Sequence, residues 1–177
     1  LNIFTNNADT LPQGKADFLL ASSVSLTCKI EGITQAQTNI PLLPTLDAEY
    51  IINEKVFSRQ TFVQSQTQTP RPALITRAVH NLNPFSSIEI LDLGLETQPQ
   101  NVALRNFDIK TSSSIATGAK IDAKEVFRKG MDFGKSYELK GNYLILGESI
   151  PAGTTTAAAS CLALGYACKN DFSSSFA

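Results

Sequence analysis

Histidine and cysteine are scarce in this 177-residue chain, which leaves little from which to build a metal centre or a nucleophilic triad. His80 is its single histidine, and Cys28, Cys161 and Cys168 fit no metal-ligand spacing. A zinc site and a Ser-His-Asp arrangement are therefore set aside, and no metal or other cofactor is expected. The three thiols read as reduced, small apolar residues rather than bridges. No apolar run is long enough to cross a bilayer, and the opening Leu1-Asn-Ile-Phe-Thr5 lacks the basic flank and apolar stretch of a secretory signal, so the cytoplasm is expected. A net charge of −1 and a pI near 5.8 supply no broad basic field, which excludes nucleic acid and anionic membrane as expected partners. With 42% hydrophobic and 18% charged residues, the chain can bury one core. It begins at Leu1 rather than Met and stops after Asp171-Phe-Ser-Ser-Ser-Phe-Ala177 without a closing helix or strand. Residues 1–177 are read as a single α/β nucleotide-binding domain or a fragment of one.

What is present is concentrated between Tyr143 and Gly165. The apolar run Tyr143 to Leu146 suits a strand of a parallel sheet, and Gly147 and Gly153 allow backbone conformations closed to other residues. Thr154 is positioned to cap a helix that Ala157, Ala158, Ala159, Leu162 and Ala163 favour and that Gly165 ends. At such a junction the first helical N–H groups lack backbone partners. With the helix dipole and the hydroxyls of Thr154, Thr155 and Thr156 they can hold a phosphate. The Gly-Lys-Ser/Thr ending of a triphosphate loop is missing, so a monophosphate fits better. The alternative is a tight strand-to-helix connection with threonines as caps and alanines as packing.

Elsewhere, Ala16 to Leu26 has the apolar density of an early core strand, and Gly32 marks the turn after it. In Thr45 to Asn53 the acids Asp47 and Glu49 precede a short apolar stretch read as a strand. The Gln- and Thr-rich segment 59–70 reads as a surface loop or hairpin. Pro72 to Leu82 places Leu74, Ile75, Ala78, Val79 and Leu82 on one helical face, which turns His80 outward. Ser87 to Gly94 reads as a parallel strand with Asp92 at its carboxyl end, where open α/β sheets bind ligands. Residues 96–118 read as a long connection. A second helix starts at Asp122, with Glu125 completing a capping box and Val126, Phe127, Met131, Phe133 and Tyr137 on its buried side. Strands alternating with helices predict an open, mainly parallel sheet with helices on both faces, a Rossmann-like three-layer α/β fold.

Five blocks in this order resemble the nicotinate-nucleotide:dimethylbenzimidazole phosphoribosyltransferase family, in its archaeal and cyanobacterial-type branch. They are Asp47-Ala-Glu-Tyr-Ile-Ile52, Pro72-Ala-Leu-Ile-Thr-Arg-Ala-Val79, Leu91-Asp-Leu-Gly-Leu95, Thr117-Gly118 and the stretch from Tyr143 to Ala158. The resemblance covers the amino-terminal part of such proteins. It implies an enzyme, usually dimeric, that moves the phosphoribosyl group of nicotinate mononucleotide to a benzimidazole-type base. The α-ribazole phosphate so formed serves cobalamin biosynthesis. Homodimerisation or larger self-association is expected on the same ground, and also from the edge that a parallel sheet stopped partway leaves open. The resemblance further implies that Gly147, Gly153 and the threonines hold the phosphate, with Glu148 close to the ribose. Ser25-Leu-Thr27 and Glu31-Gly-Ile-Thr34 stand where that branch carries Thr-Glu-Thr and Pro-Gly-Ile-Ser, so an acidic group is missing there. The family's catalytic glutamate belongs to a carboxyl-terminal region that this chain does not contain, and no catalytic residue is assigned. The rival reading is a noncatalytic nucleotide-binding or interaction module that keeps the phosphate loop.

Other acids carry paired alternatives. Asp47 and Glu49 make either a substrate-binding pair or a solvated strand entry, and Asp92 either touches ligand or caps the next turn. Arg77 reads as a surface charge.

Overall fold

The structure, a computed structural model, describes residues 12–33, 39–58, 72–167 and 171–172. Its frame is a four-stranded, wholly parallel sheet of order β3-β2-β1-β4, with β1 Ala16–Ser22, β2 Ser87–Asp92, β3 Leu104–Asn106 and β4 Tyr143–Ser149. Four helices flank it: α1 Leu43–Asn53, α2 Pro72–Leu82, α3 Ala123–Ser136 and α4 Gly153–Ala163. This is the three-layer α/β architecture that the alternating pattern predicts. The loop or hairpin expected over 59–70 lies outside the described residues.

Alternation along the strands sends successive side chains to opposite faces. Phe18, Leu20 and Ile90 meet Ala48 and Ile51 of α1 and Ala73 of α2, with Ile88, Ile145 and Phe85 packed around them. Phe18 and Phe85 stack with ring centroids 5.2 Å apart. On the opposite face the buried Asp17 carboxylate accepts the Tyr137 hydroxyl at 2.8 Å and the Lys140 N–H at 2.7 Å, fastening the end of α3 to the central strand. Burial pushes that carboxyl's pKa up, but these hydrogen bonds together hold it below the ordinary value.

Several elements differ from the sequence reading. Residues 45–53 form helix α1, not a strand: Pro44 sits in its first turn, where proline is tolerated, and Leu46, Ala48 and Ile51 are buried with it. The strand expected over Ala16 to Leu26 ends at Ser22, and a 3-10 turn at Leu26–Lys29 follows. Residues 96–118 contain β3, too short at three residues to show a period. Helix α2 occupies its expected span, yet its apolar stripe points away from the core, which receives Ala73, Thr76, Arg77 and His80 instead. His80 is therefore half-buried, its Nδ1 accepting the Phe85 N–H at 3.2 Å. Burial, then the nearby Arg77, lowers its pKa. Arg77 is more than a surface charge: it donates to the carbonyls of Ile51 and Ile52 at 2.8 and 3.2 Å and pairs with Glu54, closing the carboxyl end of α1. In α3, Asp122 caps the Lys124 and Glu125 N–H groups as expected, but Glu125 pairs with Lys129 instead of completing a capping box. Val126, Phe133 and Tyr137 turn inward, while Phe127 and Met131 stay exposed.

Among the described residues no helix is long and apolar enough to cross a membrane, and no cluster of three or more His, Cys, Asp or Glu could hold a metal. Cys28 is a buried free thiol whose pKa is raised, first by burial and then by Glu96.

Candidate functional site

Strand order decides where a ligand can enter. From β1 the sheet grows through β2 to β3, and the chain then returns to lay β4 on the other side of β1. Past their carboxyl ends β1 and β4 separate. The Ser23 N–H still reaches the Ser149 carbonyl at 3.2 Å, but Val24 has already turned to the Gly94 carbonyl at 3.0 Å and Leu26 to that of Ser112 at 2.9 Å. The chain after β1 thus leans toward β2 while the chain after β4 runs into α4. This is a topological switch point, the place where open parallel sheets hold ligands.

Helix α4 begins here. Its N-cap is Ala152, in the left-handed region at φ 62°, and no side chain caps the helix. Thr156 is the first residue whose N–H finds an acceptor one turn back, the Ala152 carbonyl at 3.3 Å. The N–H groups of Gly153, Thr154 and Thr155 precede any such acceptor. The contrast with α3, where Asp122 occupies the equivalent donors, is direct.

This geometry corrects three details of the sequence reading. Thr154 is not the cap, because the helix starts one residue before it. The left-handed residue is Ala152, and neither Gly147 nor Gly153 has positive φ. The two glycines are needed for space. A Cβ on Gly147 would stand 3.0 Å from the Phe18 ring, and one on Gly153 would stand 2.8 Å from Ile150 Cγ2 and 3.3 Å from Glu148 Oε1. The last distance puts the exposed Glu148 carboxylate beside the first turn of α4. Gly165 does end the helix, at φ 87°, with the Gly165 and Tyr166 N–H groups returning to the carbonyls of Leu162 and Cys161.

The other acids separate. On a helix, positions two apart face different ways, so Asp47 and Glu49 do not form a pair. Glu49 is fully buried and its carboxylate accepts the Phe57, Ser58 and Gln100 N–H groups and the Ser58 hydroxyl. Burial raises its pKa, and these donors more than reverse that. Asp92 is buried, accepting the Gly94 and Leu95 N–H groups, both at 3.0 Å, and the Gln98 amide at 2.8 Å, so it organises the turn after β2. Asp47 instead reaches the site: the Ser149 hydroxyl donates to its Oδ2 at 2.7 Å, tying α1 to the end of β4.

Two serines escaped the sequence reading. Ser22, Ser149 and Asp92 lie in register at the carboxyl ends of β1, β4 and β2. The Ser22 hydroxyl is fully buried and has no hydrogen-bond partner. Only strand pairing reveals this row, since its members lie far apart in the chain. Beside the end of β3, Lys110, Lys120 and Lys129 line a cavity of about 350 Å³, equally invisible in sequence.

No family model matches the chain. It is similar to archaeal proteins named UPF0284 protein. It is 34% identical to the one from Archaeoglobus fulgidus over 161 residues, which is 88% of this chain and 47% of the relative. To that of Sulfurisphaera tokodaii it is 29% identical over 171 residues, 94% of the chain and 49% of the relative. To that of Methanocaldococcus jannaschii it is 34% identical over 154 residues, 86% and 43% respectively. The chain spans about half the length of these curated relatives. Their shared name states no activity.

Proposed function

We propose that this chain carries the phosphate-binding part of a phosphoribosyltransferase that moves the phosphoribosyl group of nicotinate mononucleotide to a benzimidazole-type base. One observation carries the reading: a helix start with no side-chain cap, its first turn formed by Gly153, Thr154 and Thr155, opens onto the switch point between β1 and β4. The resemblance of residues 143–158 to that family supplies the identity of the anion. Glu148, next to the same helix turn, is suited to hydrogen-bond the ribose hydroxyls. Asp47, held by Ser149, Asp92 and Glu49 shape the surrounding edge, the last two through the turns they organise.

The chemistry suits such a frame. The ring nitrogen joined to the sugar in nicotinate mononucleotide is already positive, so nicotinate leaves without being protonated there. Rate then depends on fixing phosphate and ribose, aligning the attacking azole nitrogen and stabilising positive charge on the sugar. The azole proton needs a base, and no residue of this chain is assigned that role.

The second reading, a nucleotide-binding module without turnover, rests on the same helix start and needs no base. Calorimetric titration with nicotinate mononucleotide and with the phosphate-free riboside tests the shared claim, with at least tenfold tighter binding expected for the nucleotide. Equal affinities would remove the phosphate site. Chromatography of the same mixture with dimethylbenzimidazole added separates the two readings: α-ribazole phosphate appears only in the first. Gly153→Val should abolish binding, because the new side chain meets Ile150 and Glu148. Unchanged affinity would reject the loop assignment.

A further inference from the structure

The last residues of three neighbouring strands form a row. Ser149 of β4, Ser22 of β1 and Asp92 of β2 are register partners, so adjacent members lie about 5 Å apart. By alternation they share the sheet face of Phe18, Leu20 and Ile90, on the α1 side. Two of the three are satisfied: Ser149 donates to Asp47, and Asp92 accepts two N–H groups and the Gln98 amide. Ser22, between them, is fully buried and its hydroxyl has no partner. Burial strips such a group of water and gives nothing back, a cost that an alanine would not carry. A central strand that keeps serine there keeps it for something other than the stability of the unliganded fold.

We infer that the Ser22 hydroxyl is a specificity contact for a sugar hydroxyl of the ligand whose phosphate sits at the start of α4. This rests on the phosphate site proposed above and adds where the rest of the molecule lies. The neighbours decide the kind of group. Asp92 and Asp47 bring carboxylates to both ends of the row, which disfavours a second anion beside Ser22. A serine hydroxyl both donates and accepts, as a sugar hydroxyl does, so the two pair without a charge. The phosphate is thus assigned to the junction of β4 with α4, and the sugar to the adjoining end of β1. Glu148 precedes Ser149 and so faces the other way, where it serves a different ribose hydroxyl. Main-chain bonds on either side, from the Ser23 N–H to the Ser149 carbonyl and from the Leu93 N–H to the Ser22 carbonyl, fix Ser22 before a ligand arrives. The Ser149–Asp47 bond ties α1 to the row, and the ligand reaches Ser22 as that bond opens.

Calorimetry with methyl phosphate and ribose 5-phosphate, on wild type and on Ser22→Ala, tests this. Wild type should bind the sugar phosphate roughly tenfold more tightly than methyl phosphate. Ser22→Ala should cut that advantage about fivefold, keep the wild-type affinity for methyl phosphate, and raise the melting temperature of the unliganded chain by about 3 °C. The opposite signs separate a ligand contact from a structural role, which would lower stability and leave the sugar's advantage intact. An undiminished advantage, an equal loss for both ligands, or a variant that melts earlier or fails to fold would each overturn the inference. So would a wild type that binds the two ligands equally, a result that needs no variant. Failure of the phosphate site looks different: wild type then binds neither methyl phosphate nor nicotinate mononucleotide, and the sugar contact falls with it.

Discussion

β1 and β4 are paired residue for residue over seven positions and are similarly apolar, yet they live in different surroundings. Every β1 residue but Ala21 is buried, whereas β4 alternates half-buried with exposed, leaving Leu144 44% and Leu146 66% exposed. β1 has a strand on each side and a helix layer on each face. Among the described residues β4 is bonded on one side, and only its Ile145 face is packed. Composition therefore sets which residues can be buried, and position in the sheet sets which ones are.

The largest test of that difference is truncation on the two sides. Ile90→Ala, at a site 1% exposed in the packed face, should cost about 3 kcal/mol in the denaturant midpoint. Leu146→Ala should stay within about 0.5 kcal/mol, and equal losses would break the comparison. Glu49→Gln should cost about 2 kcal/mol, since one acceptor oxygen becomes a donor facing N–H groups. Glu49 and Asp17 have depressed folded-state values, so the stability they add is complete above their unfolded values and is lost as pH falls toward the folded ones. Wild type should begin to weaken below about pH 4, and Glu49→Gln should show a shallower acid decline in a urea series. Gly147→Ala should cost about 1 kcal/mol, because the added methyl crowds Phe18 at the β1–β4 seam. A stabilised variant would show that β4 sits more loosely than described. The smallest effect on stability should come from Leu146→Lys, which should instead reduce concentration-dependent light scattering if the uncovered face drives aggregation.

The parallel sheet was legible because Phe18 to Leu20, Ile88 to Leu91 and Leu144 to Leu146 are dense apolar runs bounded by turn residues, and because Gly165 ends α4. The helix over 45–53 was not, since Tyr50-Ile-Ile52 carries β-prone residues and the tertiary contacts of Leu46 and Ile51 outweigh that local preference. The stripe of α2 was read correctly as a stripe but assigned to the core, because periodicity tells that a helix has an apolar side and not what lies against it. At the site, glycine and threonine marked the loop that joins β4 to α4. The uncapped helix start behind Ala152 depends on a left-handed alanine, which no residue preference announces. Asp47 came to the site through Ser149, a contact spanning 102 positions that only the folded chain creates.

The placing of the first strand in the middle of the sheet has a kinetic consequence. Lys15 and Asn142, which bond beside the start of β1 and β4, are separated by 127 residues, so one flank of the core's central strand waits for a very long loop to close. Such distant pairing slows the search for the native state. A chain emerging from the ribosome would carry β1 half-matched until β4 follows it, a window in which chaperone binding or mispairing competes with the correct neighbour.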